Sequence, residues 1–138
     1  MANRAKPHGQ FLAGEAGELA GVSGNTIGQW ARWGYIRASQ SDGEPHLYSV
    51  EDVAEAAIVS ELLGRGVRHR EIRRAIARLG DYGEWPLSEA PLATTPEGRL
   101  VLLREDGAIY ALSARGWQLM SPPPPEIHDV RLRLRRTR

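Results

Sequence analysis

"AGEAGELAGVSGNTIGQWARWGYI", residues 13–36, places two short apolar-periodic segments either side of the turn Gly21-Val22-Ser23. The first segment predicts a helix over about 14–20, with Ala13, Ala16, Leu19 and Ala20 available to face inward. Its glycines make it intrinsically weak, so packing must hold it. Gly21 is placed to end it, and Ser23 is placed to cap a second helix running to about Trp33, where Gly34 stops it. So short a turn projects the second helix across the first. That geometry lets one helix enter a DNA major groove while the other crosses the backbone.

The wheel of the second helix separates two kinds of side chain. At about 100° per residue, Ile27, Trp30, Ala31 and Gly34 fall on one side, and Asn25, Gln29 and Arg32 on the other. Asn and Gln can pair bidentately with adenine, and Arg with guanine, through the major-groove edge. Gly28, beside them, would let the helix backbone come close to a ligand. Any surface helix turns polar residues outward, so it is the helix-turn-helix context that gives these residue types meaning.

Downstream, "RASQSDGEPHLYSVEDV", residues 37–53, predicts a two-stranded wing from Ile36 to Tyr48, with Gly43 able to take positive φ in its turn and Pro45 marking an edge or loop. Ser49-x-x-Asp52 is a capping box opening a third helix, with Val53, Ala57 and Leu62 or Leu63 inward. Gly64 and Gly66 break that helix, and a fourth spans about 69–79 with Ile72, Ile76 and Leu79 inward. Then the hydrophobic period changes. "PLATTPEGRLVLLREDGAIYALS", residues 91–113, reads as a three-stranded meander turning at Thr95–Gly98 and at a two-residue Asp106-Gly107 hairpin. The fold class expected is α+β: a four-helix winged helix-turn-helix followed by a small antiparallel β meander. The division expected is a flexible arm at 1–10, a DNA-binding domain at 11–80, a meander or dimerisation segment at 84–120, and a Pro-rich linker with a basic tail at 121–138.

Composition narrows the function classes. The chain has 138 residues, a net charge of +1 and no cysteine, which removes disulfides, thiolate metal sites and cysteine redox switching. No apolar run approaches the roughly 18 residues of a membrane helix, and no secretory signal is read at the N-terminus, so a cytoplasmic protein is expected. The charge is clustered. Six arginines (65, 68, 70, 73, 74, 78) surround Glu71, and five more (131, 133, 135, 136, 138) fill the last eight residues without an acid. Clusters of this kind suit a phosphate backbone, and only one of the 18 basic residues is lysine. A solvated basic face and an arginine-rich codon bias are the bland readings. The four histidines are scattered without ligand spacing, and Glu51-Asp52 and Glu105-Asp106 read as a helix start and a turn. No metal, cofactor or catalytic centre is expected. Trp30, Trp85 and Trp117 are expected in cores, with Trp33 toward the wing.

Residues 11–79 resemble the MerR-type winged-helix DNA-binding family. The resemblance rests on residues 13–36, on "HLYSVEDV" and on "LLGRGVRHREIRRAI", in that order. It implies double-stranded DNA as partner. Carried over by position, groove contacts would come from Asn25, Thr26, Gly28 and Gln29, the wing contact from His46 followed by Tyr48, and contacts from the turn between helices three and four from Arg68 and His69; beside these, Ser23, Arg32, Arg37 and Arg70 are DNA-contact candidates from the residues themselves. Tyr48 could pack or touch phosphate. The family usually has arginine where this chain has Asn25 and Gly28, and again in the wing near His46, so phosphate grip from the reading helix should be weaker, with Arg32, Arg37 and the arginines of the fourth helix compensating. It also usually dimerises through a long helix after this domain, which Gly80, Gly83 and Pro86 forbid here. A homodimer through the meander and Trp117 is expected instead, with no metal or effector sensor. Residues 86–118 also resemble the β-hairpin segment of bacterial antitoxin-like proteins. That supports a competing reading: an antitoxin binding its own promoter, with a toxin ordered on Val130, Leu132 and Leu134, which alternate with arginines. An excisionase-like DNA-bending factor is a third reading.

Overall fold

A computed structural model describes residues 7–130, and the expectations for Leu132, Leu134 and the C-terminal arginines lie outside the described residues. Four helices come first: α1 (Ala13–Ala20), α2 (Gly24–Trp33), α3 (Val50–Gly64) and α4 (His69–Ala77). A 3₁₀ turn (Gly80–Tyr82) and a one-turn helix, α5 (Pro86–Glu89), lead into strands β1 (Leu92–Thr94), β2 (Leu100–Leu103), β3 (Ile109–Ser113), β4 (Gly116–Leu119) and β5 (His128–Asp129). All strand pairs are antiparallel, in the order β4-β3-β2-β1-β5. The fold class is α+β, as read from the sequence. The chain divides into two compact units between Ala57 and Ile58, inside α3.

In the N-terminal unit, the two helix starts and stops behave as their residues dictate. Ser23 Oγ accepts the Thr26 amide at 3.0 Å, and Gly34 ends α2 at φ 83°. Ile27 and Trp30 are buried beneath α2, and Tyr35 and Ile36 continue that core past the glycine. Helix α1 differs from expectation in its inward face. Ala16, Gly17 and Ala20 are buried, whereas Leu19 is 53% exposed. The cause is the close approach of the turn: a Cβ on Gly17 would stand 2.5 Å from the Val22 carbonyl oxygen. Only glycine fits there, and Leu19 is rotated outward as a consequence.

The wing shrinks to one bridge between Ser41 and Leu47, and Tyr48 pairs instead with Phe11. Pro45 has no amide to extend the ladder, and the loop closes on side chains, with the Gly43 amide donating to Ser41 Oγ and His46 Nδ1 to the Gly43 carbonyl. Gly43 does not take positive φ. The arm is tied down from its second half. The His8 amide and Nδ1 reach the two carboxylate oxygens of Glu51 at 2.9 and 2.8 Å, and the Val50 amide donates to the His8 carbonyl. Burial alone would raise Glu51, but these His8 hydrogen bonds hold its carboxyl below the ordinary value.

The capping box of α3 forms and is enlarged by Ser39. Asp52 Oδ2 accepts the Ser49 amide (2.9 Å), the Ser39 amide (2.8 Å) and the Ser39 hydroxyl (2.7 Å). Ser49 Oγ in turn accepts the Asp52 amide at 3.0 Å and lies 2.7 Å from Ser39 Oγ. Ser39 has one proton to give; it goes to the carboxylate, so Ser49 supplies the proton between the two hydroxyls. Helix α3 itself is buried around most of its circumference rather than on one stripe, Asp52 through Ala56 being buried in succession.

In the C-terminal unit, Ile72, Ala75 and Leu79 of the α4 segment join Leu92, Leu100, Val101 and Leu102 in the core. The meander gains two strands over the expected three. Both inner hairpins close through three-residue loops, Pro96–Gly98 and Glu105–Gly107, each with its glycine at positive φ, where a two-residue turn was expected at the second. Trp117 on β4 donates its indole N–H to the Arg78 carbonyl at 3.1 Å. The chain then crosses from the β4 edge to the opposite edge through Pro122–Pro125. There β5 is gripped by Arg65, whose guanidinium donates to the carbonyls of His128 and Asp129 at 2.9 Å each, and to Thr94 Oγ1 at 3.1 Å. Val130, expected to bind a partner, is instead buried, and its amide bonds the Leu92 carbonyl. Two residues after a proline run offer no periodicity to read, which is why β5 was not foreseen.

Replacing Asp52 with alanine strands three donors in a buried site, so it should cost about 2–4 kcal/mol. A urea-unfolding midpoint unchanged by Asp52→Ala would make this network incidental to stability.

Candidate nucleic-acid interface

On α2 the outward face carries Asn25, Gln29 and Arg32, all exposed, over the buried Ile27 and Trp30. The rod is therefore anchored through one side and presents the other. Thr26 is half-buried at its N-terminal end and Gly28 lies between the polar residues. A Cβ built on Gly28 meets nothing but the Arg32 guanidinium, at 3.6 Å. The arginine thus lies back along the helix over the bare Gly28 backbone. A planar five-donor group held there suits two acceptors in one plane, the arrangement of guanine O6 and N7.

Ser23 is committed to the helix. Its oxygen takes the Thr26 amide and its proton goes to Thr26 Oγ1, 3.0 Å away. Its first role is therefore capping rather than contact. The Thr26 hydroxyl, accepting from Ser23, is left with its own proton pointing elsewhere, free for an acceptor on a ligand.

Around the wing, Arg37 is exposed and held by a contact within the protein. His46 is half-buried, its Nδ1–H fixed by the Gly43 carbonyl and its ring edge-on to Tyr48 with centroids 6.4 Å apart. Because a carbonyl only accepts, Nδ1 is the donor of this bond. Tyr48 is 1% exposed, so the sequence's two options resolve to packing: it cannot reach a phosphate. Burial, and next the Asp52 carboxylate, push its phenol above the ordinary value, against the opposing Arg32 guanidinium.

In the C-terminal unit the arginine cluster divides by use. Arg65 is spent on Glu61 and β5, and Arg78 donates to the Ala114 carbonyl at 3.3 Å. Glu71, the single acid of the cluster, turns inward to accept the Leu100 amide. Arg68, the N-cap residue of α4, and Arg70 in its first turn are exposed, and His69 between them is exposed but engaged within the protein. Sequence reasoning counted Arg65 among the surface charges. The Glu61–Arg65 spacing of four residues was the available sign that its guanidinium had a local partner. Trp33, expected toward the wing, is 44% exposed, one helical turn beyond Gln29.

Among the described residues, no three of His, Cys, Asp or Glu gather where they could hold a metal ion, and no helix is long and apolar enough to cross a membrane. Compared with known proteins, residues 12–79 match the family model described as MerR HTH family regulatory protein. No curated protein and no solved structure is similar enough to the chain to count as a match. The matched span covers α1 through α4, the same helices that carry the exposed α2 face and the Arg68–Arg70 turn. Over residues 12–79, just under half of its length, the chain is similar to the helix-turn-helix regulatory proteins of the MerR family.

Proposed function

We infer that the chain is a sequence-specific DNA-binding transcription regulator whose helix α2 reads the major groove. The observation that carries this is the division of α2: Ile27 and Trp30 are buried while Asn25, Gln29 and Arg32 stand exposed on the opposite side. The family similarity supplies the regulatory context. Asn25 and Gln29 read adenine, Arg32 reads guanine from over Gly28, and Thr26 donates its proton to a nearby phosphate or base acceptor. His46 contacts backbone from the wing, and Arg37 adds positive charge. Arg68 and Arg70, with His69 between them, neutralise phosphate.

One such helix spans only a few base pairs, so the active species is a homodimer on two half-sites about one helical turn apart. Its contact surface lies in the C-terminal unit, in keeping with the absence, among the described residues, of any helix longer than α5 after α4. Leu119 on the edge strand β4 is 58% exposed and belongs to that surface. Acting on chromosomal DNA places the protein in the cytoplasm.

Base contacts and phosphate contacts predict different signatures. Gln29→Ala and Arg32→Ala should each cost about 1–3 kcal/mol on the preferred duplex and little on random DNA. Gel-shift titration against a duplex selected from a random pool measures both, and unaltered affinity in both variants would remove α2 as the reader. Arg68→Ala should instead weaken every sequence alike and lower the salt slope of log K by about 0.9, the share of one phosphate. Gly28→Ala separates folding from binding. It should raise stability by about 0.5–1 kcal/mol, since the new methyl has room and helix propensity improves. Yet it should weaken DNA binding, because the backbone can no longer approach so closely; tighter binding by this variant would refute the close approach.

A further inference from the structure

We propose that Trp33 is a specificity-determining residue that packs on the methyl group of a thymine in the recognition site. The inference rests on the reading of α2 given above and extends it. Trp33 follows Gln29 by four residues, so helical geometry sets it about 40° around the axis and one turn, roughly 6 Å, further along. It therefore borders the reading face on the side away from Arg32. The residue is 44% exposed, one of five large apolar residues left exposed among the described residues.

The ring does not float. Its edge meets Tyr35 at 5.5 Å between centroids and 63° between planes, and Tyr35 is itself 2% exposed in the core. Gly34, between them, turns the chain so that the two aromatic rings can meet. A side chain immobilised before binding loses little conformational entropy on contact. Besides its indole N–H, such a ring offers a broad apolar face, and covering that face is a gain the polar readers beside it do not supply. Among the base edges of the major groove, the apolar group on offer is the C5-methyl of thymine. Arg32 and Arg37 flank the ring in sequence, so the surface around it carries positive charge suited to duplex DNA rather than to a basic partner. The thymine lies within about two base pairs of the adenine read by Gln29, as the axial offset between the two side chains requires.

The test uses the full-length protein and the duplex it selects from a randomised pool, with each thymine in turn replaced by deoxyuridine. That exchange deletes one methyl group and leaves hydrogen bonding intact. At one position near the Gln29 contact, the wild-type protein should bind about fourfold more weakly, the worth of burying one methyl group. Trp33→Ala should bind the unmodified duplex roughly fivefold to tenfold more weakly and show no further loss with deoxyuridine. Trp33→Phe, which keeps a ring against Tyr35, should retain most of the deoxyuridine effect and guards against a folding defect. The proposal is overturned if wild type is indifferent to deoxyuridine at every position, or if the losses from Trp33→Ala and deoxyuridine simply multiply. A Trp33→Ala loss without any deoxyuridine effect also overturns it, and points to the sugar wall or a second copy of the chain. Gln29→Ala, run on the same duplex, separates the levels. If Gln29→Ala loses affinity while Trp33→Ala does not, this proposal alone fails; if Gln29→Ala and Arg32→Ala lose none either, the reading by α2 fails with it.

Discussion

Three hydrogen bonds converge on one carboxylate oxygen, Asp52 Oδ2, and the N-terminal unit is organised around it. The donors come from Ser49, at the start of α3, and from Ser39, in the segment that leaves α2. A buried carboxylate is expensive unless its lone pairs are filled. Here they are filled by groups from two places in the chain, so satisfying the charge and fixing the loop are the same event. Asp52 thereby ties the exit from α2 to the first turn of α3. With that exit pinned, Tyr35, Ile36 and Tyr48 pack in one arrangement, and Trp30 holds the inner side of α2 against them. The outer side of the helix is what remains, rigidly presented.

The C-terminal unit solves a similar problem with a positive charge. Its sheet would end in a three-residue strand, β1, too short to hold a further partner by ladder bonds alone. Arg65 reaches two successive carbonyls of β5 and the Thr94 hydroxyl, and Glu61 orients its guanidinium from the preceding helical turn. A two-residue strand is thus retained by a side chain as much as by backbone pairing. This use of charge bears directly on function. An arginine that staples a strand is not available to a phosphate, so the basic cluster is smaller than its count suggests. Arg68 and Arg70 face solvent, and the phosphate contacts proposed for the cluster fall to them.

Most of the N-terminal architecture was legible because its signals are local. Gly21 and Gly34 stop helices, Ser23 caps one, and Ser49 with Asp52 opens another; each effect is settled within four residues of its cause. The wheel of α2 belongs to the same class, since a 3.6-residue period sorts Asn25, Gln29 and Arg32 from Ile27 and Trp30 without outside help. Errors arose where a distant group competed. Leu19 looked like a core residue until the Gly21–Ser23 turn drew Gly17 inward, and Ala57 proved half-buried on a helix covered nearly all round, where Leu62 rather than Leu63 is the fully buried leucine. Tyr48 could have faced phosphate, but its pairing with Phe11 and burial decided otherwise.

The amino-acid order by itself determined the helix boundaries, the polar face of α2 and the two inner hairpins, because each depends on backbone preferences and spacing within a few residues. Tertiary structure decided which charges are spent inside the fold, that β4 and β5 complete the sheet, that Val130 closes it, and that the Trp33 ring is held against Tyr35. Those outcomes join residues as far apart as 65 and 129. No periodic pattern encodes such a meeting, since its free energy exists only after the intervening chain has already been folded into place.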